Sequence, residues 1–252
     1  MKKLLIIFII FNTHISSSID WSDPNECKLP DHSEFINSLV SQMTLEQKVA
    51  QMIQGEIAHV TPEDVRRYGL GSVLNGGGSF PNKNKYASLQ DWVALADSYY
   101  LASLDTSEGN AGIPIIWGTD AVHGHNNVIG ATIFPHNIGL GAAGDAKLAA
   151  AIAEATAKEV SATGIDWIFA PTVAVALDAR WGRTYESYGS DPTLAGDFAG
   201  GIVEAMQSVG ILSTAKHFLG DGGTKNGIDQ GNSIIDEQTL KNIHGKPYYE
   251  AI

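Results

Sequence analysis

Short runs of apolar residues alternate along this chain with longer segments in which apolar residues recur every three or four positions. The short runs are bounded by glycine or polar residues, which is typical of buried strands. The predicted strands cover residues 69–77, 113–120, 165–175 and 210–218. The longer segments have the periodicity of helices. The predicted helices cover residues 86–104, 145–162 and 193–208, with others beginning near Asp236 and at Pro247.

The first amphipathic segment has the sequence MTLEQKVAQMIQG, residues 43–55. Thr44, with Gln47 three residues later, has the pattern of a capping box, in which each residue satisfies a backbone N–H of the other. The apolar residues from Leu45 to Ile53 fall on one face of the predicted helix. We expect Gly55 to end this helix, because glycine is favoured just after the last helical turn.

Continuously apolar strands separated by helices indicate a parallel sheet covered on both faces, either doubly wound or closed as a (β/α)8 barrel. The G-x-G-x-x-G turn of nucleotide-binding doubly wound folds is absent from the first strand-to-helix turn. Polar residues such as Asp120, Arg183 and Lys216 follow the ends of different strands, where barrel enzymes place their sites. We therefore predict an α/β fold of the (β/α)8 TIM-barrel type. The number of predicted strands indicates an incomplete barrel, about its first half.

The N-terminus has the pattern of a secretory signal peptide over residues 1–18. Lys2 and Lys3 form a positive region, residues 4–11 form an apolar run, and small serines precede Ile19. This run is far shorter than the roughly 20 residues that span a bilayer. We predict export to the periplasm or medium, a mature chain beginning near Ile19, and no membrane association of the mature form.

The composition narrows the range of partners. The formal net charge is −12, whereas proteins that bind nucleic acid normally present a basic face. We therefore predict no nucleic-acid partner. The single Cys27 cannot form an internal disulfide, and we interpret it as a free surface thiol.

Two histidines follow the strand at 113–120. His123 and His125 form an H-x-H pair beside Asp120, an arrangement that could bind zinc. Such a site would need ligands from later strands, and although His217 is available, no clustered Asp/His pattern accompanies it. In the alternative interpretation, the histidines and the asparagines after them hold the loop by hydrogen bonds, while Asp120 alone faces the cavity. We predict no metal and no cofactor.

The sequence DARWGRTYESYGSDP, residues 178–192, is dense in charged and aromatic groups. The two arginines and three acids of this segment are expected to form one charge network, and at least one of them to contact a ligand. Buried arginines next to acids also commonly lock loops together. The charged residues are Asp178, Arg180, Arg183, Glu186 and Asp191.

The sequence STAKHFLGDGGTKNG, residues 213–227, places Lys216 beside His217. Neighbouring side chains of a regular strand point to opposite faces, so it is not obvious how both could serve one ligand. The glycines could form a nest of amides for phosphate. However, the spacing of a P-loop is absent, because Lys225 follows Thr224 instead of preceding a hydroxyl residue. We therefore reject a phosphate site.

Four segments together resemble the N-terminal barrel domain of glycoside hydrolase family 3, and its exo-acting β-glucosidases and β-glucan glucohydrolases in particular. They occur in order and at plausible spacing, and the resemblance extends from about residue 33 to the last residue. It implies that residues 19–252 form this domain, incomplete at its C-terminus. The four segments are MTLEQKVAQM, GTDAVHGHNN, DARWGRTYESYGSDP and AKHFLGDGGT.

The resemblance implies a site for the sugar in the innermost subsite. Lys216 and His217 would bind sugar hydroxyls, joined by a peptide bond that is commonly cis in the family, which turns both side chains into the pocket. Asp120 would hold distal hydroxyls, and Arg183 would contact the sugar from the third predicted strand. The implied substrate is a β-linked oligosaccharide or glucoside. The implied reaction is hydrolysis of O-glycosyl bonds by a retaining mechanism, which releases glucose from the non-reducing end.

The chain departs from the N-acetylglucosaminidases of the family. Their motif continues with a proline and a histidine, and the loop of that histidine supplies the acid/base. Here Leu219 and Asp221 occupy these places. The resemblance therefore favours a glucosidase or exo-glucanase.

Retaining glycosidases need a nucleophile and an acid/base about 5 Å apart. The residues alone would nominate Asp120 with Glu186 or Asp191. The resemblance instead implies a nucleophilic aspartate in a Ser-Asp-Trp type motif after a later strand, and an acid/base from a second domain. We therefore expect no catalytic carboxylate in this chain and place the nucleophile beyond Ile252.

Two Asp-Trp pairs occur in the chain, at residues 20–21 and 166–167. The first lies near the mature N-terminus, and the second opens a strand instead of ending one, so neither is placed for attack. Two alternatives to an enzyme of this family stay open: a truncated, inactive relative that only binds sugar, and a metal-dependent barrel hydrolase.

Overall fold

The computed structural model describes residues 32–252, so the predicted signal peptide and Cys27 lie outside the described residues. The strands are β1 (Gln54–Glu56), β2 (Ser72–Asn75), β3 (Ile116–Thr119) and β4 (Trp167–Ile168). The helices are α1 (Ser33–Gln42), α2 (Leu45–Gln51), α3 (Pro62–Tyr68), α4 (Leu89–Leu104), α5 (Asn137–Ala143), α6 (Ala146–Ala162), α7 (Pro192–Ser208), α8 (Glu237–Thr239) and α9 (Lys246–Ala251). A π-helical turn, Leu240–Gly245, joins α8 to α9. None of the helices in this part of the chain has the length and hydrophobicity needed to cross a bilayer.

The strands form one parallel sheet in the order β1-β2-β3-β4. Val73 of β2 lies opposite Trp117 of β3, and Thr119 of β3 lies opposite Ile168 of β4. Strands that are neighbours in the sequence are therefore neighbours in the sheet, as in a barrel, whereas a doubly wound sheet reverses its strand order. The structure confirms the predicted α/β fold, and its strand order fits an arc of a TIM barrel.

The segment after α7 continues the sheet only in part. Leu212 forms an isolated parallel bridge with Trp167, and Lys216 forms another with Thr172. Between these bridges lies Pro171, which has no N–H to donate to the ladder. The predictions of continuous strands at 165–175 and 210–218 are therefore wrong in extent, although both segments run side by side in the predicted direction.

The N-terminal part of the sheet differs more from the prediction. The capping box of Thr44 and Gln47 is confirmed, with N···O distances of 2.8 and 3.2 Å. However, the helix ends at Gln51, and Gly55 lies inside β1 instead of ending the helix. A Cβ atom at Gly55 would collide with the Val60 side chain, so the close packing of Val60 against this strand explains the glycine.

The core is aromatic where α4 packs on the sheet. The Trp117 ring lies 6.0 Å from the Trp92 ring and 5.7 Å from the Tyr99 ring. The indole N–H of Trp117 is not left unpaired, because it donates to Asn75 Oδ1 at 2.9 Å. This packing ties α4 to β2 and β3.

His125 belongs to the same core. It is fully buried, its ring lies 6.2 Å from that of Trp92, and its Nε2 atom lies 3.0 Å from Thr163 Oγ1. Burial lowers the pKa of His125 from 6.5 to about 4, because the charged imidazolium is disfavoured away from water. The ring is therefore neutral at neutral pH.

We expect His125 to make the fold sensitive to acid. Its pKa in the unfolded chain is the higher one, so the unfolded state takes up the proton first and stability falls as the pH drops from about 6.5 to about 4. The loss amounts to about 3 kcal/mol over this window. Denaturant unfolding at several pH values will show a flatter pH dependence for His125→Gln than for the unchanged chain. The matched control is His32→Gln, at an exposed position, and an unchanged slope in His125→Gln would contradict the expectation.

Candidate functional site

A polar cleft lies at the carboxyl end of the sheet, where β3 and β4 give way to their loops. Asp120 directly follows β3, Arg183 lies in the loop after β4, and Lys216 lies on the segment beside it. The structure therefore brings together three residues that the sequence analysis predicted separately. The lining residues are Asp120, Val122, His123, Asn126, His136, Arg183, Tyr185, Glu186 and Lys216.

Lys216 and Asp120 form an ion pair across the cleft. Lys216 Nζ donates to Asp120 Oδ1 at 2.7 Å. The Lys216 side chain is 14% exposed and that of Asp120 is 46% exposed, so the lysine is the more buried partner and the carboxylate is the more accessible one. An ammonium group has three N–H donors, and one of them serves this pair.

Arg183 and Glu186 form a second ion pair, which is bidentate. Arg183 Nε donates to Glu186 Oε1 and Arg183 Nη2 donates to Glu186 Oε2, both at 2.7 Å. Burial acts to raise the pKa of Glu186, but the hydrogen bonds and charge of Arg183, with smaller contributions from His217 and Lys216, outweigh it and lower this pKa. The same hydrogen bonds raise the pKa of Arg183. Glu186 is therefore an anion at neutral pH.

His217 joins this second pair from the neighbouring segment. Its Nε2 atom lies 3.0 Å from Arg183 Nη2, and its Nδ1 atom lies 2.7 Å from Asp221 Oδ2. The peptide bond between Lys216 and His217 is cis, as the family resemblance implies. Lys216 contacts Asp120 and His217 contacts Arg183, so both side chains reach groups of the same site although the two residues are adjacent in the sequence.

The two histidines of the H-x-H pair point to different places. His123 Nδ1 lies 3.1 Å from Phe134 O at the cleft wall, whereas His125 is buried against Thr163. In the described part of the chain no group of three or more His, Cys, Asp or Glu side chains is placed to hold a metal ion. The loop-holding interpretation fits better, and Asn127 adds to it by donating to the Asp120 carbonyl at 3.4 Å.

An aromatic wall completes the cleft. The rings of His123 and His136 lie 4.1 Å apart, and Tyr185 stands edge-on to His136 with ring centres 4.6 Å apart. Burial lowers the pKa of His136, and the charge of the neighbouring His123 lowers it further. Neither His136 nor Tyr185 was among the predicted site residues. Tyr185 lies inside the charged and aromatic segment 178–192, whereas nothing in the sequence pattern around His136 distinguishes that residue.

The single charge network predicted for residues 178–192 is wrong. Asp178 pairs with Arg180 near the surface, where the hydrogen bonds from Arg180 lower the pKa of Asp178 to about 2. Asp191 instead caps α7 by accepting from Thr193 N at 2.8 Å. Only Arg183 and Glu186 of this segment reach the cleft as charged groups. The acids of this short segment serve different places, since Asp191 caps a helix and Glu186 lines the cleft. Their charge alone could not predict which acid goes to which place.

The glycine loop after His217 is fixed against the backbone that follows β4. Leu177 N donates to Gly222 O at 3.0 Å. Gly222 has a φ of +83°, and a Cβ atom there would lie 2.5 Å from Val175 O. The loop therefore packs backbone against backbone, which only glycine permits.

Comparison with known proteins gives a consistent picture. Residues 44–252 match the sequence profile of the glycosyl hydrolase family 3 N terminal domain. The lysosomal beta glucosidase of Dictyostelium discoideum is 29% identical over 243 residues, which cover 86% of this chain and 29% of that protein. The periplasmic beta-glucosidase of Salmonella typhimurium is 24% identical over 220 residues, covering 85% of this chain and 27% of that protein.

Solved structures agree with these matches. An exo-1,3/1,4-beta-glucanase from a Pseudoalteromonas species superimposes with a TM-score of 0.84 and 54% identity, over 86% of this chain and 28% of that chain. A beta-glucosidase variant from Listeria innocua, in complex with laminaribiose, superimposes with a TM-score of 0.69 and 26% identity, over 88% of this chain and 31% of that chain. The chain thus spans less than a third of these relatives. The roles of Asp120, Arg183, Lys216 and His217 stay predictions.

The backbone packing of the glycine loop predicts a large effect of a single methyl group. Gly222→Ala will lower the free energy of unfolding, because the new Cβ meets Val175 O and because alanine disfavours a positive φ. The control is Gly210→Ala, since Gly210 has a φ of +84° but nothing within 4 Å of its Cβ position. We expect Gly222→Ala to cost about 1–3 kcal/mol more than Gly210→Ala in denaturant unfolding. Equal losses would mean that the loop is not packed as described.

Proposed function

The chain belongs to glycosyl hydrolase family 3, and from this premise we propose that it supplies the sugar-binding face of an exo-acting β-glucosidase. The whole protein would hydrolyse O-glycosyl bonds and release glucose from the non-reducing end of β-glucosides or β-glucans by a retaining mechanism. The observation that carries the proposal is the convergence of the Lys216–Asp120 and Arg183–Glu186 pairs in one cleft at the end of the sheet.

The chemistry of the cleft suits a polyol. Each sugar hydroxyl can donate one hydrogen bond and accept others, so it is held best by a donor and an acceptor placed together. Lys216 and Arg183 supply donors, and Asp120 and Glu186 supply acceptors. Hydrogen bonds in which one partner is charged are the stronger ones. A site built in this way also discriminates against ligands that lack the hydroxyl, because its polar groups would be left unpaired.

We assign the acids of the cleft to binding and not to bond cleavage. Both oxygens of Glu186 accept from Arg183, and its lowered pKa makes it a poor proton donor at neutral pH. Asp120 accepts from Lys216, and Asp191 is occupied as a helix cap. The proposal therefore takes the nucleophile and the acid/base from sequence beyond Ile252.

The main alternative is a protein that binds a β-glucoside without cleaving it. It would use the same cleft and the same residues, so the geometry alone favours neither. The two candidates are separated by an activity assay on the protein encoded by the complete reading frame that contains this chain. A metal-dependent hydrolase has less support, because His123 and His125 diverge.

We also propose export of the protein. The support is the signal-peptide pattern of residues 1–18 and the periplasmic beta-glucosidases of Salmonella typhimurium and Dickeya chrysanthemi among the relatives. The mass of the protein recovered from the periplasm or medium of the source cells will correspond to a chain beginning near Ile19. Recovery of an uncleaved chain from the cytoplasm would contradict the proposal.

Hydrolysis of an aryl β-glucoside tests the function. We expect activity in the product of the complete reading frame and none in the 252-residue chain, because the reacting carboxylates are placed outside it. In the longer product, Lys216→Met will lower kcat/KM about 10- to 100-fold, the effect of losing a hydrogen bond from a charged group. Lys225→Met is the matched control, because Lys225 lies in the same loop region and is exposed.

Two outcomes would change the assignment. Activity in the 252-residue chain itself would place the reacting carboxylates inside it and make Asp120 the first residue to substitute. An inactive longer product that still binds glucose in a Lys216-dependent manner would favour the binding protein.

A further inference from the structure

The lining of the cleft has two chemically different parts. One part holds the two ion pairs described above. The other part is aromatic, because the rings of His123, His136 and Tyr185 follow one another with centres 4.1 and 4.6 Å apart. Charged groups offer hydrogen bonds, whereas aromatic rings offer a flat apolar surface. A ligand that uses the whole cleft therefore combines hydroxyl groups with an apolar face.

Tyr185 is the accessible member of the aromatic part. This residue is 47% exposed, whereas its neighbour Glu186 is 8% exposed. Both belong to a 3₁₀ turn, Thr184–Glu186, in which successive side chains are about 120° apart around the axis. The Tyr185 ring therefore lies beside the charged part of the cleft and is not enclosed with it.

The Tyr185 ring stands on a rigid support. Helix α5 is tied to the 3₁₀ turn, because Asn137 Nδ2 donates to Glu186 O at 2.6 Å. A Cβ atom at Gly141 of α5 would collide with Tyr188 O, so the helix packs directly on the backbone that follows the turn. An aromatic ring that is held in this way loses little conformational freedom when a ligand covers it.

Asn126 adds a hydrogen-bonding group to the accessible part of the cleft. It is exposed and lines the cleft, and within the described residues its side-chain amide makes no hydrogen bond. The next residue, Asn127, instead donates from its amide to the backbone of Asp120. The Asn126 amide is therefore available to a ligand, to which it can both donate and accept.

We propose that Tyr185 and Asn126 form a second sugar subsite, which binds the glucose residue next to the one that the enzyme would release. A β-linked glucose carries its ring hydroxyls equatorially, so its two faces present C–H groups and its rim presents hydroxyls. The Tyr185 ring suits a C–H face, and the Asn126 amide suits the hydroxyls. This inference rests on the proposed function and extends it to a preference for oligosaccharides over glucosides with small aglycones.

Binding of two ligands tests the subsite. The protein is the product of the complete reading frame that contains this chain, and the ligands are glucose and a thio-linked diglucoside, which resists hydrolysis. We expect Tyr185→Ala to weaken diglucoside binding about 10-fold more than glucose binding, the effect of losing one covered apolar ring face. Tyr185→Phe keeps the ring and will stay close to the unchanged protein. Titration calorimetry measures both affinities.

Asn126→Ala tests the polar half of the subsite. We expect it to weaken diglucoside binding about 3- to 10-fold more than glucose binding, the effect of losing a hydrogen bond between neutral groups. The matched control is Tyr86→Ala. Tyr86 is 75% exposed and does not line the cleft, so this control will keep both affinities. Glucose binding by each variant reports that the cleft is still folded.

The outcomes separate the subsite from the proposed function. Equal losses for glucose and the diglucoside in Tyr185→Ala, or no loss for either, would overturn the subsite, while glucose binding by the unchanged protein would leave the proposed function standing. A loss confined to a thio-linked phenyl glucoside would assign the ring to an aromatic aglycone and would also overturn the sugar subsite. If the unchanged protein bound neither glucose nor the diglucoside, the proposed function itself would fail, and the subsite with it.

Discussion

Parallel pairing of the strands determines where the polar groups of this protein meet. Because β1 to β4 run in one direction, the loops that leave their carboxyl ends emerge at one edge of the sheet. Asp120 directly follows β3, Arg183 lies in the loop after β4, and Lys216 lies on the segment that forms isolated parallel bridges with Trp167 and Thr172, so these residues meet although they are far apart in the sequence. An antiparallel arrangement of the same segments would have sent them to opposite edges.

Within that edge, Arg183 connects the parts of the site. One of its amino groups contacts both Glu186 and His217, so the loop after β4 and the segment after α7 share a single donor. Lys216 then connects the second segment to Asp120 after β3. Hydrogen bonds from charged side chains therefore join the loop after β3, the loop after β4 and the segment after α7. The site is assembled from these three separate segments of the chain.

The sequence predicted what depends on periodicity and on strand ends. The helices α4, α6 and α7 follow from periodic patterns longer than ten residues. The convergence of Asp120, Arg183 and Lys216 follows from their positions after the ends of predicted strands. The missed β1 and α3 are too short to show a period. Pro171 shortened two predicted strands through its missing N–H. The separate partners of Asp178, Arg183 and Asp191 depend on which backbone N–H groups lie nearby, which no linear pattern contains.

The pairing of charges in the cleft also sets how a ligand arrives. Asp120 pairs with Lys216 and Glu186 pairs with Arg183, so these opposite charges of the cleft offset one another inside a chain of formal net charge −12. A neutral ligand has no net charge on which a long-range field could act, so its rate of capture varies little with ionic strength. An anionic ligand would be repelled by the chain as a whole before it met either cation. A neutral ligand thus reaches the cleft by diffusion without electrostatic steering.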